Sequence, residues 1–521
     1  MRTKFAGLAT ALLVAATASA GGGDVEAGRM LYQHGVLASG EALAGEGFGG
    51  VELKSEYAAC VRCHRRSGFG SYEGGYYIPP ITQPYLFGGR QISRDDRFRA
   101  LFMQAQSAEF RHQVRRVRDR APYTSETLAR VLREGIDPEG RELERLMPRY
   151  SLSDADLANL EAYLRTLSAE ISPGVGEQYV HLATVVHRDV PEDRREAMIG
   201  TMASFVDWYN KRTLGDLQLA GHSVYGSSLY TRYSRLYRLS VWEIEGPEET
   251  WREQLQAHYA RQPVFAMISG QVVGRWDEIA RYADAAGLPT IFPITELPGE
   301  IGPLGGYTVY FNAGRLLEAE LLCERVIASA PARVLQLVDR TVEARASAAH
   351  FEQTAARKQA EIGLSTRSID DWQVPPEGGG ESVRADVLVV WTDDPDAELL
   401  RQWQDATGAT EVLMPAAAIE SLAGTAEASE APGNWLFSYP FALQQIYYPE
   451  RFRARAWMNT RGLDFAESDV QLRAYYAMLM FRDSFVHLLD HYNREFLLEV
   501  LEHQIQGSPN PGLYPEMELA P

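Results

Sequence analysis

Two cysteines three positions apart, followed directly by a histidine, form the group of residues most clearly arranged for chemistry. Cys60 and Cys63 enclose Val61 and Arg62, and His64 adjoins the second cysteine. Two thiols at this spacing can each add to one vinyl group of a haem, and the adjoining imidazole then binds the iron as an axial ligand. This is the pattern of a c-type haem attachment site. The sequence therefore predicts one covalently bound haem c as cofactor.

Two other interpretations of the cysteine pair remain open. A C-x-x-C pair can also be a redox-active dithiol or one half of a zinc site. A redox dithiol is typical of a strand–helix–strand context, whereas the flanks of this pair are rich in glycine. A zinc site needs a second pair of ligands, and the remaining cysteine, Cys323, lies in an apolar helical pattern that predicts a buried thiol.

Met147 is the predicted second axial ligand of the iron. Pro148 follows it and stiffens the loop beside the sulfur, and Ser153 with Asp156 three residues later forms a helix N-cap pattern. Apolar side chains over residues 157–167 then recur at helical spacing. The alternative for Met147 is a methionine of the apolar core.

Three other residues compete with Met147 for the iron. Met30 and Met103 are also thioethers, but neither precedes a proline and a capped helix. His112 would give a haem with two histidine ligands instead. Histidine with methionine raises the reduction potential relative to two histidines and leaves no iron position open to an outside ligand. The pair of His64 and Met147 therefore predicts a haem for electron transfer.

The chain over about residues 24–170 resembles a class I c-type cytochrome, an all-α domain. Besides the C-x-x-C-H motif, the resemblance rests on residues 65–70, 79–81 and 147–150. In such cytochromes a proline carbonyl commonly accepts a hydrogen bond from the second nitrogen of the haem-binding histidine. The resemblance implies this role for Pro80.

The segment between the motif and Met147 is longer than a minimal cytochrome needs. The excess over about residues 70–120 contains five arginines between 111 and 120. A basic run beside a haem can dock an acidic redox partner, and the alternative is a solvated helix face.

The first twenty residues have the pattern of a secretory signal peptide. Arg2 and Lys4 precede a short apolar run, and Ala18, Ser19 and Ala20 offer a small-residue cleavage site. An N-terminal helix is the alternative. Because haem c maturation takes place outside the cytoplasm, the predicted location is the periplasm. No later segment has eighteen uninterrupted apolar residues, so no membrane span is predicted.

Composition divides the rest of the chain near residue 170. Charges over residues 21–170 are almost balanced, whereas residues 171–521 account for the acidity of the chain, whose net charge is −19, and carry all nine tryptophans. Residues 171–177 are predicted as a linker. A chain this acidic is repelled by phosphate backbones, which argues against a nucleic-acid partner.

Residues 178–521 alternate apolar runs with amphipathic stretches, the pattern of a parallel sheet covered by helices on both faces. The predicted strands cover residues 180–186, 264–268, 290–294, 334–338 and 387–391. The predicted helices cover residues 195–210, 276–286, 316–328 and 397–406. On residues 268–270 and 287–293 the region resembles the type I periplasmic binding proteins of branched-chain amino-acid receptors. The resemblance implies two α/β lobes that close over a small ligand, the second opening near residues 310–312.

Ligands of open parallel sheets lie beyond the carboxyl ends of the strands. The residues at or near those ends are the ligand-binding candidates: Ser269, Gln271, Thr295, Asp339 and Thr392, with Tyr225, Tyr310 and Trp391 as aromatic candidates. At the position where the amino-acid receptors have a turn rich in hydroxyl side chains, this chain has Gln271. The sequence therefore does not favour an amino acid as ligand.

Three functions remain open at this point. The first is a periplasmic electron carrier with one haem c and a module that binds a small ligand or a redox partner such as a cytochrome or dehydrogenase. The second is a ligand-binding or sensory protein whose haem potential responds to the ligand. The third, a haem peroxidase or oxidase, needs an open iron position that Met147 would fill. No nucleophile motif, phosphate loop or metalloprotease helix predicts an enzyme.

Overall fold

The computed structural model describes residues 22–73, 76–89, 119–221, 234–299, 306–370, 383–423, 434–441 and 449–507, together with Tyr514. The predicted signal peptide, Met103, His112, the arginine run between 111 and 118, and Tyr225 lie outside the described residues. The chain forms two compact units, Met1–Glu170 and Ile171–Pro521.

Five described helices build most of the first unit, and side chains at their first turns fix where three of them begin. They are α1 (Val25–His34), α2 (Val61–His64), α3 (Gln83–Phe87), α4 (Ser125–Glu134) and α5 (Asp154–Leu164). Asp24 caps α1, Thr124 forms a capping box at α4, and Ser153 caps α5 through the backbone N–H of Asp156. The predicted N-cap at Ser153 is therefore confirmed.

Helices α1 and α5 pack closely because a glycine lies where they meet. A Cβ atom on Gly28 would come within 2.0 Å of the Asn159 carbonyl oxygen and 2.8 Å of the Tyr163 Cβ. The Tyr32 and Tyr163 rings pack beside this contact with their centroids 5.1 Å apart. The side chains of α5 at Leu157, Leu160, Tyr163 and Leu164 are buried as the helical spacing predicts.

The first unit is not all-α, which corrects the fold predicted from the sequence. Strands β1 (Ala44–Glu46), β2 (Glu52–Lys54) and β5 (Arg149–Tyr150) form an antiparallel sheet, and β3 (Ser71–Glu73) pairs with β4 (Tyr76–Ile78) in a hairpin. Each strand has only two or three residues, too few to produce a visible alternation of apolar and polar side chains.

Residues 171–177, which the sequence predicts as a linker, are an ordered part of the second unit. The backbone N–H of Ser172 donates to the Tyr492 carbonyl, and Val175 pairs with Val180 in an antiparallel bridge. Gly174 lies so close to Val264 and Phe265 that a Cβ there would meet the Phe265 nitrogen at 2.1 Å. Proline and glycine in this segment allow backbones to pack closely. The same composition is typical of a linker, so the sequence alone does not distinguish the two.

The first lobe of the second unit has a parallel five-stranded sheet in the order β10-β9-β8-β6-β7. Its strands are β6 (Tyr179–His187), β7 (Leu236–Ile244), β8 (Ala266–Ile268), β9 (Thr290–Ile291) and β10 (Thr308–Val309). The helices between them are α6 (Glu192–Gly221), α7 (Trp251–Arg261) and α8 (Asp277–Ala286). Helices α7 and α8 bury Trp251, Ile279 and Tyr282 against one face of the sheet.

The second lobe has its own parallel five-stranded sheet in the order β12-β11-β13-β14-β15. Its strands are β11 (Arg333–Val338), β12 (Gly363–Ser368), β13 (Val387–Trp391), β14 (Glu411–Met414) and β15 (Trp435–Phe437). Its helices are α9 (Arg315–Ser329), α10 (Val342–Arg357), α11 (Ala397–Thr407) and α12 (Ala418–Ala423). Alternate residues of β13 pack on α9 and α10 and on α11 and α12, so a strand apolar throughout is buried on both faces.

Two helices near the end of the chain return to the first lobe. After α13 (Pro449–Asn459), α14 (Ser468–Val486) packs on α6 and β8, and α15 (Arg494–Gly507) follows it. Arg494 at the start of α15 is buried and donates to the carbonyl oxygens of Val264, Phe265, Gly287 and Pro173. Within the described part of the chain, no helix is both long and apolar enough to cross a membrane.

Candidate functional site

The histidine of the C-x-x-C-H motif ends helix α2, and its ring is held by a proline carbonyl. His64 Nδ1 lies 3.3 Å from the carbonyl oxygen of Pro79. The sequence-based assignment of this contact to Pro80 is therefore wrong by one residue. The contact leaves Nε2 of the same ring for an iron, and it is the kind of outer contact that fixes the orientation of a metal-binding histidine.

The loop after His64 folds back so that Pro79 can reach the ring. The backbone N–H of Gly70 donates to the His64 carbonyl, and that of Ile81 donates to the Gly68 carbonyl. Gly70 has φ +69°, and a Cβ there would lie 2.1 Å from the Ile78 carbonyl oxygen and 2.9 Å from that of Pro79. Only glycine allows both this backbone conformation and this approach.

Burial keeps the Cys60 thiol and the His64 imidazole of the motif uncharged. It raises the pKa of the Cys60 thiol to about 12 and lowers the pKa of His64 to about 4, against the opposing hydrogen bond to Pro79. Neither cysteine of the motif is part of a disulfide. A reactive dithiol depends on a lowered thiol pKa, so this environment does not favour the redox-dithiol interpretation. A neutral imidazole is the form that binds a metal.

Met147 lies in the same apolar cluster as the motif. It is half-buried and packs, with Cys60 and Val61, against the core of the first unit. Tyr150, three residues later, is buried near the cysteines: burial raises its pKa, and the two neighbouring thiols add to the shift. The competing Met30 instead places its sulfur 3.7 Å from the Arg29 guanidinium.

The loop that carries Met147 is fastened by Arg149. The guanidinium of Arg149 donates to the carbonyl oxygens of Met147 at 2.6 Å, Leu143 at 2.6 Å and Glu134 at 3.1 Å. One side chain therefore ties the methionine loop to the end of α4. This positioning residue belongs to the sequence segment that carries the resemblance, but its role is visible only in the folded chain.

The residues of this region fit a covalently attached haem. Cys60 and Met147 pack against one apolar cluster, and Cys63 and His64 follow Cys60 in the motif, where the imidazole has one nitrogen held by Pro79. An imidazole and a thioether are the donor set of histidine–methionine ligation. Among the described residues, no group of three or more His, Cys, Asp or Glu side chains is arranged to hold a metal ion. The cysteine pair thus has no protein partners there for a zinc site.

The second unit contains a narrow cleft lined by both lobes. Residues 293–296, which follow β9, and residues 310–314, which follow β10, form its first-lobe side. Glu318 of α9, with Pro440 and Phe441 beyond β15, forms its second-lobe side, and Arg473 of α14 and Tyr514 complete it. Its volume is about 20 Å³, room for roughly one water molecule.

A close approach of two chain segments brings charged side chains to this cleft. Gly314 has φ +56°, and a Cβ on it would lie 2.2 Å from the Glu296 carbonyl oxygen. The next residue, Arg315, donates its backbone N–H to that same oxygen. Its buried guanidinium contacts Asp393 and lies 3.7 Å from Glu296 and 4.0 Å from Glu318. Burial acts to lower the Arg315 pKa, but the three carboxylates outweigh it and raise that pKa.

Glu318 is a buried carboxyl group with two protein partners. Its Oε2 accepts hydrogen bonds from the Ala416 backbone N–H at 2.7 Å and from the Ser438 hydroxyl at 2.6 Å. Burial raises its pKa, although Arg315 and both hydrogen bonds act in the opposite direction.

Two of the residues predicted from the sequence lie in this cleft. Thr295 lines it, and its hydroxyl accepts a hydrogen bond from the Leu297 N–H. Tyr310 also lines it, and its hydroxyl accepts from the Gly299 N–H at 3.0 Å. Burial raises the pKa of Tyr310 well above its ordinary value, so the phenol stays protonated.

The other predicted ligand-binding residues lie elsewhere. Ser269 is fully buried against Met198 of α6, and Trp391 is buried with its indole N–H donating to Gln336. Gln271 is buried within the continuation of the first-lobe sheet. Asp339 caps the turn before α10 and lines an open groove of the second lobe. The strand ends lie close to the predicted positions. Because alternate residues of a strand point to opposite faces of the sheet, a residue near a strand end does not necessarily face the cleft.

The Thr392 side chain makes a local contact within its own turn: its hydroxyl accepts a hydrogen bond from the Asp394 backbone N–H at 3.4 Å. It lies beyond β13 and does not line the cleft.

Comparison with known proteins finds similarity in solved structures alone. No family model matches the chain, and no curated protein matches it. A branched-chain amino acid ABC transporter protein from Thermus thermophilus with bound valine is 14% identical, with 66% of this chain and 87% of that chain covered and a TM-score of 0.45. A leucine binding protein from Thermotoga maritima is 13% identical, with 64% and 90% covered and a TM-score of 0.40.

A solute binding protein of an ABC transporter from Rhodopseudomonas palustris, in complex with 3,4-dihydroxybenzoic acid, is 11% identical. It covers 62% of this chain and 85% of its own, with a TM-score of 0.40. The two-lobed α/β fold stated above rests on the strand orders and the paths of the chain between the sheets.

Sequence reasoning missed the charged residues at the cleft. Glu296, Arg315 and Glu318 surround the crossing from the first lobe to the second, and Arg473 comes from a helix more than 150 residues later. The crossing near residues 310–312 was predicted, and an arginine and a glutamate three residues apart follow it directly. That spacing was the available signal, although on a helix it is also typical of a surface ion pair.

Proposed function

We propose that this protein is a periplasmic ligand-binding protein whose second unit takes a small molecule into the cleft between its two lobes. The observation that carries the proposal is the cleft itself. It lies beyond the carboxyl ends of parallel strands from two separate sheets, and buried charged side chains converge on it. That is the position in which open parallel α/β sheets bind ligands.

Contacts between the lobes support a unit that opens and closes. Arg315 bridges Glu296 of the first lobe and Asp393 of the second, and the Gly274 N–H donates to Glu343 at 3.2 Å. A cleft with room for about one water molecule must widen before a larger ligand enters. Ligand binding is therefore expected to change the distance between the lobes.

The test is a thermal-shift screen of the matured full-length protein against small metabolites, followed by calorimetry on whatever stabilises it. Thr295→Trp fills the cleft and is expected to abolish binding. Thr366→Trp is the matched control because it fills the open groove of the second lobe instead. Binding that survives Thr295→Trp and disappears in Thr366→Trp would place the ligand in the groove and contradict the proposal.

A second function, electron transfer by a covalent haem c in the first unit, has its own supporting observation. The contact between His64 Nδ1 and the Pro79 carbonyl presents Nε2 for an axial bond, and Met147 supplies a thioether that packs in the same apolar cluster as Cys60 of the motif. When bound, haem exchanges single electrons. The protein supplies Cys60 and Cys63 for attachment, and Arg149 holds the methionine loop.

The haem proposal is tested by optical spectra of the oxidised, reduced and carbon monoxide-treated protein. We expect a six-coordinate low-spin haem, a sulfur-to-iron band that Met147→Ala removes, and no carbon monoxide shift. Met30→Ala is the control and should leave the band in place. A haem that binds carbon monoxide would contradict the ligand pair and direct attention to gas sensing or peroxide chemistry, and a protein without haem would end this proposal.

Ligand binding and haem can also be linked, as in a sensor whose reduction potential depends on the ligand. A coupling of about 1–3 kcal/mol is typical of such linkage. The midpoint potential measured with and without a proven ligand decides this. An unchanged potential would leave two independent functions in one chain.

A further inference from the structure

We infer that the ligand of the cleft carries a carboxylate group and that Arg473 binds it. This inference rests on the proposed ligand-binding function and specifies the chemical class of the ligand. The geometry around Arg473, which differs from that of the other buried arginines, carries the argument.

Arg473 is a buried cation that lacks close partners on the cleft side. Its side chain is 7% exposed, and its Nε has no hydrogen-bond partner among the described residues. The nearest carboxylate oxygen, on Glu296, lies 3.7 Å from one of its terminal nitrogens, which is beyond hydrogen-bond length. A buried guanidinium with an unsatisfied N–H is costly, and a ligand that accepts this hydrogen bond would relieve the cost.

The other buried charged groups beside the cleft are hydrogen-bonded within the protein. Glu318 accepts from Ala416 and Ser438, and the Arg315 guanidinium donates to Asp393, although the Arg315 Nε, like that of Arg473, has no partner among the described residues. Glu296 also lines the cleft, but its side chain is 45% exposed to solvent. Arg473 is therefore the buried charged group of the cleft lining that lies beyond hydrogen-bond length from its nearest carboxylate, and a ligand inside the cleft has this arginine as its electrostatic partner.

Aromatic rings hold the Arg473 guanidinium in position. The Phe441 ring centroid lies 5.4 Å from the guanidinium carbon and the Tyr514 centroid 6.0 Å from it, both within the range of cation–π attraction. These two rings also contact each other, with centroids 5.7 Å apart. A planar guanidinium fixed in this way presents paired N–H groups, which match the two oxygens of a carboxylate.

The surrounding charges favour a singly charged anion. Glu296 and Glu318 also line the cleft, so a doubly charged phosphate or sulfate would face two carboxyl groups across one arginine. An organic cation would meet the buried positive charge of Arg473. Glu296 is 45% exposed and can turn towards solvent, which makes room for a ligand carboxylate at the position its own carboxylate now approaches.

Calorimetry on the matured full-length protein tests the inference with acetate, propionate and benzoate and with the neutral amides of the same acids. The expected result is binding of at least one acid and no binding of its amide at about 1 mM. Arg473→Met is expected to weaken binding about 10- to 100-fold, the effect of losing a charge-assisted hydrogen bond. Arg473→Lys keeps the charge and the packing, so it should weaken binding less.

A second variant guards against misfolding at a buried position. Glu296→Gln removes the competing carboxylate at a partly exposed site, and we expect it to tighten acid binding about 2- to 10-fold. Glu278→Gln removes the same charge from a surface pair with Arg281 and should change nothing. Acid binding that Glu296→Gln weakens, or that Arg473→Met leaves unchanged in a folded protein, would overturn the inference.

The outcomes also separate this inference from the function on which it rests. If neutral, cationic or inorganic anionic compounds bind in a manner that Thr295→Trp abolishes, while the acids do not bind, the ligand-binding function stands and the carboxylate inference falls. If no compound of any class binds, both fall.

Discussion

The two units assemble their candidate sites in opposite ways. In the first unit, three of the four predicted haem-binding side chains fall within five consecutive residues, and the helix of the motif sets their spacing. In the second unit, the cleft draws on segments near residues 295, 315, 440, 473 and 514. A site built within one short segment can be recognised in a sequence, whereas a site built from several distant segments appears only after folding.

The two units also differ in how their last described helices, α5 and α15, are held. Helix α5 packs on α1 around Gly28, and the apolar side chains along one face of α5 make the contact. Helix α15 docks through Arg494, which donates hydrogen bonds to carbonyl oxygens of several loops and to the Tyr259 hydroxyl. The first kind of contact tolerates no added volume, and the second tolerates no lost hydrogen bond.

Arg494→Met is the substitution expected to have the largest effect on stability. It removes the hydrogen bonds by which α15 docks and so tests one of the two kinds of contact by itself. It leaves several buried carbonyl oxygens without a donor, and each such loss costs about 1–3 kcal/mol, so we expect the second unit to lose at least about 3 kcal/mol. All nine tryptophans lie in the second unit, so urea unfolding followed by their fluorescence measures its stability alone.

The matched control for this measurement is Arg461→Met. Arg461 also lies near the C-terminal helices, but among the described residues it donates to the Trp457 carbonyl and the Thr460 hydroxyl beside it in the chain and to no other group. A similar loss in both variants would mean that the effect comes from lost side-chain packing and not from the carbonyl oxygens.

The sequence predicted those parts of the fold that repeat locally. The strands β6, β11 and β13 match the predicted apolar runs, because they are buried on both faces. The strands β7 and β12 lie at sheet edges and were missed, because three of the nine residues of β7 and none of β12 are buried. Apolar runs cannot reveal a strand that is covered on one side or less.

For the candidate sites, too, the sequence predicted what depends on neighbouring residues and missed what depends on folding. The cysteines, the histidine and the methionine loop were predicted from residue types and spacing, but the proline contact was assigned one residue away, since the direction of a carbonyl depends on the fold of residues 65–70. Of the residues that line the cleft, the sequence predicted Thr295 and Tyr310 as candidates and did not predict Arg473. Nothing near Arg473 in the sequence distinguishes it from an arginine on an amphipathic helix.

Gly28→Ala tests the packing side of the comparison and is expected to cost about 1–3 kcal/mol in the first unit, because the new methyl group would overlap the Asn159 backbone. Gly215→Ala is the same change in helix α6, where a Cβ would meet no atom within 4 Å. It should stabilise the second unit by about 0.5–1 kcal/mol, since alanine is the better helix former. Unfolding followed by circular dichroism and by tryptophan fluorescence gives both values.

Opposite signs for these two glycines would show that the contact with α5, and not helix propensity, decides the result at Gly28. If Gly28→Ala is stabilising, α1 and α5 can move apart at little cost, and the distinction drawn between the two kinds of docking loses its support.

The smallest expected effect is a pH dependence that arises from Glu318. Because burial raises its pKa above the ordinary 4.5, the folded protein holds a proton that the unfolded chain releases. The contribution is favourable below about pH 4.5 and is lost as the pH rises towards the folded pKa, so the second unit should become less stable over that window. Glu318→Gln cannot titrate and should lose less over the same window when urea midpoints are compared. A wild-type protein that instead gains stability relative to Glu318→Gln with rising pH would mean that Arg315 and the two hydrogen bonds to Glu318 outweigh its burial, and the cleft would then hold a permanent negative charge opposite Arg473.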